Sequence, residues 1–167
     1  MKHFRIAISA ALLAVISAGA NMISAVPDPV DKVLIEKTAH RLTLLFKGKP
    51  VRTYQVAIGR ASGPKERKGD NRTPEGLYQI DSRKAASSFH LALHISYPNK
   101  IDQAHARALG VDPGGDIMIH GLHNGLGWLG SLHRKIDWTK GCIAVTDKEI
   151  EEIWYMVNDG TPVEIRP

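Results

Sequence analysis

The chain has one cysteine, Cys142, within Asp137–Val145, DWTKGCIAV. A cysteine attacks as the thiolate, and with a free pKa of about 8.5 only about 3% is ionised at pH 7. A neighbouring imidazole removes that limit by taking the proton. His120, His123 and His133 stand upstream of the thiol. His120 is the best placed. It ends an apolar run, DIMIH, and is followed by Gly121, so its ring can sit where a strand gives way to a loop. Cys142 starts a second apolar run after Gly141. Two neighbouring strand ends would bring imidazole and thiol together. Gly141 removes a side chain beside the sulfur, and its amide with that of Cys142 could face an oxyanion. Thr139 is expected to support the site through its hydroxyl. The same donors leave a second chemistry open, since His120, His123, His133 and Cys142 could together ligate zinc. A third reading is an inert thiol packed in an apolar strand. The carboxylates form no pair suited to acid–base catalysis.

A scaffold must position these residues. Leu42, Leu44 and Phe46 alternate with Thr43, Leu45 and Lys47; KGKP (47–50) is a turn, and Val51–Ile58 is a second strand, which predicts an antiparallel hairpin. Gly59–Thr73 is glycine-rich and charged, a loop with Arg60, Lys65, Arg67, Lys68 and Arg72 in solvent. Strands are expected at Leu77–Asp81 and Phe89–Tyr97. The second of these carries His90 and His94 on its polar face. IDQAHARALG reads as a short helix closed by Gly110. Gly121–Trp138 has little periodicity and reads as a long loop, functional or mobile. Thr146 and Glu149 fit a capping box, and Ile150, Ile153, Trp154 and Val157 form the stripe of a helix. TPVEI is a last strand. The sum is a mainly β chain with one or two helices, α+β. Tyr97, Trp128, His123 and Lys140 are candidates for contact with a substrate.

The N-terminus reads MKHFRIAISAALLAVISAGANMISAVPDP. A short positive start, an apolar run too short to span a bilayer and small residues after it form the pattern of a secretory signal peptide. We expect the signal over residues 1–25, a short linker over 26–30 and one catalytic domain over 31–167. The protein is then exported, to the periplasm or cell envelope. There a single thiol cannot close an internal disulfide, so it must be buried, paired between molecules or used. The formal charge of +5 suits an anionic wall polymer as well as it suits solvated lysines, and decides neither. No nucleic acid is expected as a partner, and a non-catalytic wall-binding module remains a further class.

IMIHG followed by TKGCIAV resembles the L,D-transpeptidase catalytic domain, also called the YkuD domain. DNRTPEGLYQI resembles that family's Gly-Asp-x-x-Thr-Pro-x-Gly segment, and NDGTPVEI its closing strand. The resemblance implies a mixed, mainly β sandwich without cofactor or metal. It implies Cys142 as nucleophile and His120 as base, the imidazole being oriented by a backbone carbonyl. The substrate implied is a peptidoglycan stem tetrapeptide, which loses its terminal D-alanine to form a thioester. An amine then resolves the thioester, or water does in a hydrolase. Three positions depart from the family's commoner pattern: Lys140, Ala144 and the long interval from His120 to Cys142. With DWTxGCIAV they look like the branch that includes an enzyme releasing a lipoprotein from the wall, so a wall-linked lipoprotein is a candidate partner.

Overall fold

A computed structural model describes residues 30–167; the expected signal peptide and nearly all of the expected linker lie outside the described residues. The elements run β1 (Lys32–Glu36), β2 (Arg41–Phe46), β3 (Lys49–Gln55), β4 (Gly76–Ser87), β5 (His90–Ile95), α1 (Lys100–Leu109), β6 (Met118–His120), a 3-10 segment (Gly127–Lys135), β7 (Ile143–Ala144), α2 (Asp147–Met156) and β8 (Pro162–Arg166). Mainly β with two α-helices and a 3-10 segment, this is the expected α+β class.

Eight strands form one sheet in the order β3-β2-β1-β8-β4-β5-β6-β7. The β2–β3 hairpin turns at Lys47 and Gly48, both with positive φ. β4 serves both halves of the sheet. Its first residues, Gly76–Gln79, pair with β8, and from Ile80 onward it pairs with β5 through two register shifts. Such irregularities bend a strand. Beyond β3 the chain reaches the far edge, where Ala57 and Ala144 exchange backbone hydrogen bonds of 3.0 and 2.8 Å. The sheet is thereby closed between its first and last strands. Alternation along β1 and β2 buries Val33, Ile35, Leu42 and Leu44 completely, together with Ile80, Leu93, Ile95, Ile119 and Ile143.

α2 begins at Thr146 with the expected reciprocal cap, Thr146 accepting from Glu149 N–H while the Glu149 carboxylate accepts from Thr146 N–H. Ile150, Ile153 and Met156 are buried, and the helix lies against β5 and β6. α1 is capped by Asn99 and ends at Gly110 as the sequence indicates. Two expectations change. β4 continues to Ser87, past the predicted Asp81, because pairing with β5 extends a stretch that is too polar to announce itself. The interval 121–138 is not featureless, since its centre winds into two 3-10 turns joined at Gly130.

Candidate functional site

The site lies along β6 and β7: His120 is the last residue of β6 and Cys142 immediately precedes β7. They pair in parallel with His120 opposite Ala144. Side chains two apart on a strand share a face, so His120 and Cys142 project from the same face, and both line one cavity of about 790 Å³. Phe89, Trp138, Arg60, Lys84, Asp116 and Lys140 also line it.

His120 is 3% exposed. Its Nδ1 stands 2.6 Å from the carbonyl oxygen of Gly121. A carbonyl only accepts, so the neutral ring carries its proton on Nδ1 and keeps an acceptor lone pair on Nε2. Burial lowers the His120 pKa, opposed by that carbonyl, so the ring is neutral and basic at pH 7. Gly121 is there by close approach. A Cβ would stand 2.7 Å from Asp147 Oδ1 and 3.0 Å from Ile150 Cγ2. Asp147, at the start of α2, takes the Leu122 N–H and so holds the chain after His120.

Cys142 is half-buried, and its Sγ is 3.5 Å from the carbonyl oxygen of Asp116. Burial raises the thiol pKa; the Met118 N–H opposes this, the Asp116 charge adds to it, and Lys65 and Lys84 oppose it. At rest a neutral thiol and a neutral imidazole therefore share the cavity.

Two segments fix the turn before Cys142. Thr139 donates its hydroxyl to Cys142 O at 2.8 Å and accepts the Gly141 N–H at 3.1 Å. The Gly141 amide is thus committed to the turn, which corrects the expectation that it faces an oxyanion; Gly141 supports the site by lacking a side chain. Its φ is +127°, and a Cβ would stand 2.6 Å from the Arg72 carbonyl oxygen. That carbonyl belongs to the loop built on Asp70. Asp70 Oδ1 accepts from Lys65 Nζ (2.8 Å) and Arg72 N–H, and Oδ2 accepts from the N–H groups of Glu66 and Arg67. Burial acts to raise the Asp70 pKa, but these donors outweigh it and hold the carboxyl at about 2. Lys65 is buried in this knot, not solvated as the sequence suggests. Asp137 receives Ile58 N–H on one oxygen and pairs with His40 on the other (2.9 Å).

The remaining sequence candidates separate clearly. Lys140 is exposed on the cavity rim. Tyr97 is 4% exposed, donates its hydroxyl to Pro113 O and packs edge-on to Tyr78; it is a core residue, because the end of β5 turns inward. Trp128 is 77% exposed and lines no part of the cavity. His123 rests edge-on to Phe89 without reaching the cavity. His90 and His94 pair with Glu151 and Asp81 away from it. His133 is buried against Trp138 and does not line the cavity. With His123 and His133 so engaged, the four-donor zinc site is not formed, and among the described residues no group of three or more His, Cys, Asp and Glu side chains is disposed to hold a metal. Sequence reasoning missed Trp138 and Phe89, which flank His120 at ring-centroid distances of 5.9 and 4.5 Å. It also missed Arg60 and Lys84. The DWT motif marked Trp138, whereas nothing local marks the other three.

The YkuD family, the L,D-transpeptidase catalytic domain, matches this chain over residues 31–165. YafK of Escherichia coli strain K12, named for this family, is 33% identical over 97 residues, covering 57% of this chain and 32% of YafK. The crystal structure of the helical cell shape determining protein Pgp2 from Campylobacter jejuni superposes with a TM-score of 0.64 at 25% identity, over 83% of this chain and 48% of Pgp2. An L,D-transpeptidase from Xylanimonas cellulosilytica shares the fold at 15% identity, with a TM-score of 0.56 over 83% of this chain and 61% of that one. The chain spans about a third of YafK and about half of Pgp2.

Proposed function

The chain belongs to the YkuD family of L,D-transpeptidase catalytic domains, and on that premise we propose that it is an exported cysteine acyltransferase acting on peptidoglycan stem tetrapeptides. Residues 1–25 serve as the export signal and 31–167 as the catalytic domain. The observation that carries the reading is the parallel register of β6 and β7, which sets His120 and Cys142 on one face in one cavity.

His120 Nε2 takes the thiol proton as Cys142 Sγ attacks the carbonyl carbon that bears the terminal D-alanine. The C–N bond breaks, the proton passes to the departing amine, and a thioester remains on Cys142. An acceptor amine then adds to the thioester, loses a proton to His120 and expels the sulfur, which is reprotonated. Water in place of the amine gives a hydrolase, including one that frees a wall-linked lipoprotein. Arg60, Lys84 and Lys140 supply positive charge along the cavity wall for a substrate rich in carboxylates.

The test is mass analysis of products after incubation with purified disaccharide tetrapeptide, for the protein and for Cys142→Ala. Release of D-alanine with a cross-linked dimer, absent in Cys142→Ala, is expected. Hydrolysed products alone would assign water as the acceptor. No Cys142-dependent product from this substrate or from lipoprotein-linked wall would overturn the reading.

A further inference from the structure

Trp138 lies between two residues that are tied to the sheet, Asp137 through its carboxylate and Thr139 through its backbone and hydroxyl. Asp137 is held by His40 and Ile58, and Thr139 is bonded to Ile58 O and Cys142 O. What the backbone leaves open is the orientation of the indole. That ring stacks near Phe89, with centroids 6.3 Å apart and an interplanar angle of 28°, and meets the His120 ring edge-on. Ring contacts of this kind are weak and permit sliding. One directional contact remains, in which Trp138 Nε1–H donates to His133 Nδ1 at 3.3 Å.

We propose that His133 is a positioning residue, which accepts the Trp138 indole proton on Nδ1 and so fixes the aromatic wall beside His120. The proposal rests on the reading of His120 as the base. An indole nitrogen can only donate. A proton on His133 Nδ1 would set two donors face to face, so the ring is held as the neutral Nε2–H tautomer. His133 Nε2 is buried and has no partner among the described residues. A buried unpaired donor is costly, and this one is tolerated with the ring oriented to receive Trp138. The neighbouring residue supplies the anchor, since Arg134 is ion-paired to Glu149 of α2. The 3-10 segment therefore delivers a hydrogen-bond acceptor to the back of the wall. His120 and His133 then hold opposite tautomers, with Nδ1–H in His120 and Nε2–H in His133.

Long-range nitrogen–proton correlation spectra of the labelled protein at pH 7 read these tautomers directly, without any substitution. The expected result is Nε2–H for His133 and Nδ1–H for His120; a proton on His133 Nδ1 would overturn the proposal. The Trp138 indole signal, assigned with Trp138→Phe, should shift in His133→Phe and hold its position in His133→Asn, whose amide oxygen stands near the place of Nδ1. For D-alanine release from disaccharide tetrapeptide, His133→Phe and His133→Gln should lose about tenfold in kcat/KM and His133→Asn less than about threefold. Equal losses for Asn and Phe would overturn the positioning role. If the unsubstituted protein gives no Cys142-dependent product from this substrate or from lipoprotein-linked wall, the functional reading fails and the positioning role with it, while the spectra decide the Trp138–His133 bond separately.

Discussion

Residues 59–75 and 121–138 are both long, glycine-containing connections beside the cavity, and they are stabilised in opposite ways. The first is a polar knot. Asp70 gathers two backbone N–H groups on one oxygen, and an ammonium and a third N–H on the other, fixing the backbone closely enough for the Arg72 carbonyl to fill the space where Gly141 lacks a side chain. The second is pinned by polar contacts only near its ends, where Leu122 N–H donates to Asp147, Asn124 bonds to Ser87 and Ser88, and Asp137 holds Ile58 N–H and His40; its middle rests on aromatic rings, the Arg134–Glu149 ion pair and the Trp138–His133 hydrogen bond, and it leaves Leu126, Trp128, Leu132 and Ile136 exposed. A charge-satisfied knot holds a backbone in one place, because every donor depends on one acceptor. Ring packing holds a wall whose exact position is set by a single directional bond.

The contrast can be broken most severely at Asp70. Asp70→Ala leaves Lys65 buried and unpaired, and should cost about 3–5 kcal/mol in urea unfolding. An unchanged midpoint would mean that the knot is not a stabilising unit. Gly141→Ala should cost about 2–4 kcal/mol, from the clash with Arg72 O and the positive φ, and should abolish thiol-dependent activity even where the chain still folds. On the aromatic side, burial first and Arg134 second push the His133 pKa down to about 4. The unfolded ring takes its proton at about 6.5, so between those values the unfolded state binds more protons. His133 thus contributes stability that is full above about pH 6.5 and falls by about 3 kcal/mol as the pH drops to 4. Unfolding curves at several pH values should show this loss, and His133→Asn should flatten it. Smallest is Trp128→Ala, within about 0.5 kcal/mol, because the side chain is almost free of contacts.

Where local chemistry fixes local structure, the sequence was legible. Lys47-Gly48 marked the hairpin turn, Thr146 with Glu149 the start of α2, and Gly110 the end of α1. The His-Gly and Gly-Cys stretches pointed to two strand ends, and β6 and β7 do pair there. The cavity walls were hidden for a physical reason. Phe89 comes from the β4–β5 turn, Lys84 from β4 and Arg60 from the connection after β3, and only sheet closure assembles them. Isolated aromatics are equally ambiguous. Tyr97 and Trp128 were expected near a substrate, yet one is in the core and the other in solvent, while Trp138 lies against His120. The sequence marked His133 only as a spare imidazole or zinc donor, because a buried imidazole beside an indole has no periodicity of its own.

The two-residue strand β7, bonded on one side to β6 and on the other to Ala57, has a consequence in time. So short a strand has no stability alone, and both of its neighbours lie far upstream. Contacts between distant residues form only after the intervening loops have closed. Imidazole and thiol therefore meet near the end of folding, and until then Cys142 is an ordinary cysteine with no base beside it. On the function proposed above, reactivity arrives together with the closed sheet, and the nascent chain does not carry an armed nucleophile.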